Sequence, residues 1–488
     1  MTSPVETLLR QAMQFEGAGR LSEAEAAYQR LLAREPALPD SWYNLAVLQK
    51  KLGHFDAALV SYSQALHHGV TQPEEVHLNR GVIYSDCLHQ DAAAESELKT
   101  ALSRNPNYIP ALLNLANLCE DLGKRDEALA LYERILALEP NYYEALARYA
   151  SLKGVAGADD PLVARVKQAI AQPGATAADK ASLGFALGKV LDACGVYDRA
   201  FVAYSNANRY SRESAGANGV LYDRQAQERL ADQLIETFTP GRLKTTASAS
   251  FAAPIFICGM FRSGSTLAER VLAGHSRVNA GGEIDFIPTL VRTELAPFPS
   301  SMAQLSSQQL GQFAARYRDQ LSKLFPGAEH VTDKRPDNFL YIGLIKSLLP
   351  NAKIIHTTRE ALDNCLSIYF LHLDHSMGYA LDLMDTGHHY RQYRRLMAHW
   401  KSLYGADILD FDYDAFVRNP RPAVEKLLAF CGLDWEESCM SFQRVGNAVK
   451  TASVWQVREP LYQRSSGRWR NYERQLAALR EYLRDLSR

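Results

Sequence analysis

The chain has 488 residues, which is enough for two or more domains that each bury a core. Its formal net charge of −1 excludes a general attraction to nucleic acid or to anionic membranes, so any basic site must be local. No run of about eighteen apolar residues and no apolar signal core occur, and the seven cysteines lack metal-ligand spacing. We therefore expect a cytoplasmic protein with no membrane and no nucleic-acid partner.

Four glycines in the first two hundred residues are each followed by an alanine five positions later and a tyrosine nine positions later. They are Gly19, Gly53, Gly123 and Gly195. The first two are 34 residues apart, and the third comes about two units later, after a unit that has Leu88 where the glycine falls. This pattern resembles the tetratricopeptide repeat, a helix–turn–helix unit of 34 residues. In such a unit the glycine permits the turn, the alanine lets two helices approach, and the tyrosine fills the space between them.

The repeats predict an all-α solenoid over residues 1–210. Such arrays stack into a superhelix whose concave face commonly holds an extended peptide, so we expect a polypeptide partner. The alternative is that the repeats only brace the neighbouring domain. Residues 152–181 are rich in Gly, Asp and Pro and predict a loosened repeat or a break before a last hairpin. Residues 211–250 are expected to form a helical linker, with a helix at 225–237 and a turn-rich connector after it.

After the linker the pattern changes to alternating strands and helices. Residues 255–258, 353–358 and 407–413 predict strands, and residues 267–274, 340–349 and 422–431 predict helices. Residues 251–488 are therefore expected to form an α/β domain with a parallel sheet. In such domains ligands bind at the carboxyl ends of the strands.

The segment after the first of these strands has the spacing of a phosphate-binding loop, Gly259-x4-Gly264. Its backbone N–H groups and the following helix N-terminus can hold an anion. The position of the lysine of nucleoside triphosphatases holds Ser265, followed by Thr266, whereas Arg262 supplies a cation inside the loop. Because that lysine is missing, the sequence predicts an anion-binding loop that is not built for ATP.

Other candidate groups follow the strands or lie in loops where the same edge would be. They are Gly281-Gly282-Glu283, Asp333-Lys334-Arg335-Pro336, Thr358-Arg359 with Ser367 eight residues further on, and the segment 465–470. The order of these elements resembles the sulfotransferases that use 3′-phosphoadenosine 5′-phosphosulfate (PAPS). Within them it resembles most the tyrosylprotein sulfotransferases and the bacterial proteins that join repeats to a sulfotransferase. The resemblance covers about residues 251–475 and implies a P-loop-like sulfotransferase domain behind the tetratricopeptide-repeat solenoid.

The resemblance also implies roles for individual residues. Glu283 falls at the general base and Lys334 at the catalytic lysine, which with Arg262 would stabilise the leaving group. The residues expected to bind PAPS are Arg262, Ser263, Gly264, Ser265, Thr266, Arg359, Ser367, Tyr413, Ser453 and Arg468. Small-molecule sulfotransferases usually have a lysine in the loop, and many use a histidine base, so this chain is closer to the tyrosylprotein branch. A sulfuryl group carries less negative charge than a phosphoryl group, and we expect no metal.

The sequence therefore predicts an enzyme that moves a sulfuryl group from PAPS to a hydroxyl-bearing acceptor. A protein tyrosine presented by the repeats is the first choice of acceptor, and a saccharide or a small phenol is the alternative. Two other classes stay open: a repeat scaffold with a non-catalytic nucleotide-binding domain, and a phosphate-loop kinase that needs ATP and magnesium. The predicted helices at 381–400 and 472–487 could serve either a homodimer interface or intramolecular packing.

Overall fold

The computed structural model describes residues 4–216, 221–240, 254–373, 377–444 and 465–486. The chain divides into two compact units, Met1–Lys153 and Gly154–Arg488. The first is all-helical, and the second joins further helices to a five-stranded sheet. Within the described ranges, no helix combines the length and the apolar character needed to cross a bilayer.

The first unit is a series of consecutive helices packed in pairs. Its helices are α1 (Pro4–Gly17), α2 (Leu21–Arg34), α3 (Pro39–Lys51), α4 (Phe55–His67), α5 (Pro73–Val82), α6 (Asp91–Arg104), α7 (Ile109–Asp121), α8 (Arg125–Leu138) and α9 (Tyr143–Leu152). Helix α1 packs on α2, α3 on α4, α5 on α6, and α7 on α8. This is the helix–turn–helix organisation that the repeat pattern predicts, so the tetratricopeptide-like architecture is confirmed.

The residues of the repeat pattern occupy the positions that the pattern requires. The four glycines have φ values of 72°, 80°, 76° and 73°, in the left-handed region that glycine enters at least cost. The matching alanines and tyrosines are buried between helices: Ala24, Ala58, Ala128, Ala200, Tyr28, Tyr62, Tyr132 and Tyr204. The pattern thus marks the turn and buried positions of the second helix in each of these units.

The repeat unit that has Leu88 in place of the glycine forms the same turn with a different local structure. A π-helical turn, Ile83–Cys87, follows α5 and adds one residue to it. His89, rather than Leu88, therefore takes the left-handed position, with φ of 54°. Ala94 follows five residues later and Leu98 nine residues later, and both are buried as their counterparts are.

The second unit begins with α10 (Pro161–Ala171), α11 (Ala177–Ala193) and α12 (Tyr197–Ala215). Helices α11 and α12 approach closely, since a Cβ on Gly188 would lie 2.7 Å from the ring of Tyr204. The same ring stacks on Phe370 with centroids 3.8 Å apart, and the Asn208 amide donates to the Tyr369 carbonyl at 2.9 Å. This hairpin carries the last copy of the repeat pattern, and it packs inside the unit that holds the sheet.

Among the described residues the sheet has five strands in the order β2-β3-β1-β4-β5, and each neighbouring pair is parallel. The strands are β1 (Ile255–Gly259), β2 (Val278–Asn279), β3 (His330–Lys334), β4 (Lys353–Thr358) and β5 (Ile408–Asp412). The parallel α/β fold class is thus confirmed. Strands β2 and β3 were not predicted from the sequence, because the first has two residues and the second carries His330, Asp333 and Lys334.

The remaining helices connect and cover the strands. They are α13 (Arg224–Thr237), α14 (Ser265–Ala273), α15 (Phe286–Thr293), α16 (Ser307–Leu324), α17 (Ile342–Leu348), α18 (Ala361–Tyr369), α19 (Leu383–Tyr404), α20 (Tyr413–Arg418), α21 (Pro420–Cys431) and α22 (Ala477–Tyr482). The predicted C-terminal helix over 472–487 is shorter than expected. Its first residue, Tyr472, ends a 3₁₀ turn, Arg468–Tyr472, and its α-helical part is α22.

Replacing His89 by glycine should stabilise the repeat unit. A side chain in the left-handed region costs about 1 kcal/mol, and glycine removes that cost. We expect the melting midpoint of the first helical transition, followed by circular dichroism, to rise by a few degrees. Gly53→Ala is the matched control and should lower the midpoint by a similar amount, because it adds the same strain elsewhere. A lower midpoint for His89→Gly would contradict this account of the turn.

Candidate functional site

Each of the five strands leads to one of the predicted groups at its carboxyl end. Across the sheet from β2 to β5, these are Glu283 shortly after β2, Lys334 at the end of β3, the loop 260–264 after β1, Arg359 after β4 and Tyr413 after β5. Because the strands are parallel, their carboxyl ends share one edge of the sheet. The topology therefore gathers groups that are scattered over 150 residues of sequence.

The loop 260–264 is held in a constrained conformation. Arg262 has φ of 67°, a region that costs a residue with a side chain about 1–3 kcal/mol and that recurs at functional sites. Gly264 has φ of 104°, and a Cβ there would lie 2.9 Å from the Tyr413 ring. The Ser263 hydroxyl lies 2.6 Å from the Thr357 hydroxyl on β4. The loop is thus fixed across the sheet edge and leads directly into the N-terminus of α14.

Two arginines and a serine lie together beside this loop. The buried Arg262 donates from Nε to the Ser367 hydroxyl at 3.2 Å. Arg359 donates to the carbonyls of Arg262 at 3.3 Å and Ser465 at 2.5 Å, and its guanidinium lies 5.0 Å from the Tyr413 ring centroid. Its Nε is buried and has no hydrogen-bond partner among the residues that the structure describes. An unpaired buried N–H is costly, and a bound anion would satisfy it.

On the other side of the loop, Lys334 and Glu283 form an ion pair. The Lys334 ammonium donates to Glu283 Oε1 at 2.7 Å, and its side chain is 3% exposed whereas that of Glu283 is 45% exposed. The Lys334 backbone N–H donates to the Gly282 carbonyl at 2.8 Å, which joins β3 to the turn that carries Glu283. A fixed cation and an accessible carboxylate therefore lie side by side at the sheet edge.

Asp333, the residue before this lysine, has a separate environment. It accepts hydrogen bonds from the Tyr317 hydroxyl and, at 3.1 Å, from the Asn338 amide. Burial raises the pKa of the Asp333 carboxyl to about 7. The carboxyl anchors the end of β3 on α16, whereas the ammonium of Lys334 pairs with Glu283.

The segment 465–470 passes beside α18. Asp363 of that helix accepts hydrogen bonds from the backbone N–H groups of Gly467 and, at 2.7 Å, Trp469. Arg468 forms an ion pair with Asp192 of α11 at 2.8 Å, so its charge is directed to the helical hairpin. The segment thus contacts Arg359 through its own backbone, and it contacts α11 through the side chain of Arg468.

Ser453, also predicted to bind the cofactor, lies outside the described residues. Within the described ranges, no group of three or more His, Cys, Asp or Glu side chains could hold a metal ion. Sequence reasoning missed two residues under the Glu283 turn, Glu269 and Thr332. Both are buried polar residues. The sequence signal that could have identified Glu269 is an acidic residue among the apolar residues of α14.

Two kinds of protein-family model match the chain. A model described as "Sulfotransferase family" matches residues 254–437. Models of the tetratricopeptide repeat match residues 6–37, 27–60 and 91–154. The first match contains the loop 260–264, Glu283, Lys334 and Arg359.

An uncharacterized protein of Aquifex aeolicus (strain VF5) is 32% identical over 404 residues, which cover 80% of this chain and 52% of that protein. The chain thus spans about half the length of that relative. The sulfotransferase domain from the Synechococcus PCC 7002 olefin synthase aligns with 46% of this chain over 90% of its own length, at 19% identity and a TM-score of 0.35. The MamA protein aligns with 45% of this chain over 98% of its own length, at 17% identity and a TM-score of 0.28. Residues 254–437 thus match the sulfotransferase family model, and they follow segments that match models of the tetratricopeptide repeat.

Proposed function

We propose that the protein transfers a sulfuryl group from PAPS to a hydroxyl group of an acceptor. The observation that carries this proposal is the convergence of Glu283, Lys334, the loop 260–264 and Arg359 on one edge of the sheet. Their order across the sheet runs from a carboxylate, through an ammonium and an anion-binding loop, to a guanidinium. A candidate base, a cation for the leaving group and a phosphate site thus follow one another along one edge of the sheet.

The described residues fit a nucleotide that carries phosphate groups at two positions. The loop residues Arg262 to Thr266 lead into a helix N-terminus, where backbone N–H groups favour an anion, and would hold the 5′-phosphosulfate. Arg359, with its unpaired buried Nε, and Ser367 would hold the 3′-phosphate. Gly264 lets the Tyr413 ring pack directly against the loop, since a Cβ there would lie 2.9 Å from the ring. When bound, PAPS supplies a sulfuryl group attached to a phosphate leaving group.

In this proposal the chain's own residues provide proton transfer and charge stabilisation. Glu283 takes the proton of the acceptor hydroxyl, because its carboxylate is accessible and fixed beside the cation. Lys334 and Arg262 stabilise the negative charge that gathers on the leaving oxygen. Sulfuryl transfer depends, as phosphoryl transfer does, on positioning and on electrostatics, which the rigid sheet edge supplies.

A protein tyrosine is the acceptor that we favour. The carboxylate of Glu283 is almost half exposed, so a bulky polypeptide can reach it. The tetratricopeptide repeats of residues 6–154 form a surface of the kind that commonly binds extended peptides. A saccharide or a small phenol is the alternative acceptor, and neither would need a repeat array to bind it.

Arg359→Ala should weaken the binding of 3′-phosphoadenosine 5′-phosphate by about 10- to 100-fold, because a charged hydrogen bond to phosphate contributes about 1.5–3 kcal/mol. Isothermal calorimetry measures this, with adenosine 5′-monophosphate as the matched ligand that lacks the 3′-phosphate and whose affinity should change little. Arg359→Lys keeps the positive charge but lacks the forked N–H donors of the guanidinium, and should give an intermediate loss of affinity. Arg316→Ala, which breaks an exposed ion pair with Glu294, is the control. Equal affinity with and without the 3′-phosphate would refute the cofactor assignment.

Glu283→Gln should bind 3′-phosphoadenosine 5′-phosphate normally and lose at least 100-fold in turnover, because the amide cannot accept the proton. The assay follows sulfur-35 from labelled PAPS into a panel of tyrosine peptides, phenols and saccharides. Asp285→Asn is the matched control, since this acid lies two residues away and is 80% exposed. Full activity of Glu283→Gln would remove Glu283 as the base. Nucleotide binding without turnover of any acceptor by the unmodified protein would favour the scaffold function.

Acceptor length should separate the acceptor classes. If the repeats present a polypeptide, a tyrosine within a peptide of about thirty residues should have a KM at least tenfold lower than N-acetyl-tyrosine amide, with a similar kcat. Equal KM values for the two acceptors, or turnover of saccharides alone, would exclude presentation by the repeats.

A further inference from the structure

Glu269 is a buried acid that the proposed chemistry does not use. It is the fifth residue of α14, and it is 6% exposed among the buried residues Leu267, Ala268 and Val271. Burial raises the pKa of its carboxyl, while the positive charge of Lys334 opposes that rise. A carboxyl group in such surroundings is costly unless hydrogen bonds compensate it. Its contacts therefore indicate what it does.

Those contacts all lead to the turn that carries Glu283. Glu269 Oε1 accepts a hydrogen bond from the Gly282 backbone N–H at 3.0 Å and another from the Thr332 hydroxyl at 2.7 Å. The Thr332 hydroxyl in turn accepts from the Gly281 backbone N–H at 3.0 Å. One carboxyl oxygen thus fixes two consecutive backbone groups of the turn, directly and through one hydroxyl.

The turn is also pressed closely against β3. A Cβ on Gly281 would lie 2.1 Å from the Thr332 carbonyl oxygen, so the backbone of the turn can approach the strand only because glycine is there. The Gly282 carbonyl accepts from the Lys334 backbone N–H at 2.8 Å. Glu283 follows immediately. Its position is thus determined by a helix on one side and by a strand on the other.

Helix α14 has two functions in this arrangement. Its N-terminus at Ser265 completes the anion-binding loop, and Glu269 lies four residues, or about 6 Å along the axis, further on. Ser265 and Glu269 are on the same face of the helix, since residues four apart lie one above the other. A short rigid helix therefore sets the distance between the loop that would hold the donor and the turn that carries the base.

We propose that Glu269 is a positioning residue, which holds the Gly281–Glu283 turn at a fixed distance from the anion-binding loop through its hydrogen-bond acceptor oxygen. This role rests on the proposed function, in which Glu283 is the base. It requires an acceptor oxygen and no negative charge. A glutamine at this position therefore preserves the role, whereas an alanine removes it.

Hydrogen–deuterium exchange of the full chain tests the positioning directly. In Glu269→Ala, the amides of residues 278–286 should exchange at least tenfold faster, while those of the loop 254–266 keep their rates. Glu269→Gln should restore slow exchange, and Thr332→Val should accelerate the same segment by removing the bridging hydroxyl. Ser347→Ala, which loses a buried hydroxyl on α17 that donates to the Gly343 carbonyl at 2.8 Å, controls for general destabilisation. Unchanged exchange at 278–286, or equal acceleration in both segments, would overturn the proposal.

Kinetics provide the second readout. Glu269→Ala should lower kcat at least tenfold with an unchanged Kd for 3′-phosphoadenosine 5′-phosphate, and Glu269→Gln should stay within threefold of the unmodified protein. Equal loss in both variants would mean that the charge, and not the acceptor oxygen, matters, and would overturn the proposal. If the unmodified protein turns over no acceptor, the proposed function fails, and the exchange experiment still decides the positioning role.

Discussion

The site depends on how closely the end of β1 approaches β4. Gly259 has φ of 152°, and a Cβ there would lie 2.4 Å from the Thr357 carbonyl oxygen and 2.7 Å from the Ser263 hydroxyl. Glycine alone permits this approach. Because of it, the loop after β1 can reach across to the hydroxyl of Thr357 and lie beside Arg359, which follows β4. The loop 260–264 and the guanidinium of Arg359 are thus brought together because Gly259 has no side chain.

Strands β1, β4 and β5 could be predicted from the sequence, whereas the two-residue β2 and the polar β3 could not. Strand β4 has the predicted bounds, Lys353–Thr358, because Ile354 and Ile355 are apolar and its four middle residues are buried. Strand β3 ends in Asp333 and Lys334, which pattern reasoning assigns to a loop. Both are buried, and their cost is offset by specific partners, Tyr317 and Glu283. Sequence patterns fail where a strand uses buried charges for the site, which is where such failures are expected.

Motif order indicated which groups would follow the strands, but not how these groups are connected in the structure. Motif order indicated Arg262, Glu283, Lys334 and Arg359, and parallel topology explains why they meet. The support beneath them could not be inferred, since the contact of Glu269 with the Gly282 backbone depends on how α14 packs against a turn thirteen residues away. The partner of Arg468 was equally hidden, because spacing within a motif contains no information on a helix more than 270 residues earlier.

The hairpin α11–α12 has a consequence for how such chains can vary. A repeat array must cover the apolar face of its last member, and here Phe370 and Tyr472 cover part of the hairpin through contacts with Tyr204 and Phe201. Part of the hairpin's apolar surface is thus covered by elements of the α/β domain within the same unit. A substitution in the hairpin that alters these contacts would require a compensating substitution in α18 or in the C-terminal segment. The sequences of these elements are therefore constrained to change together.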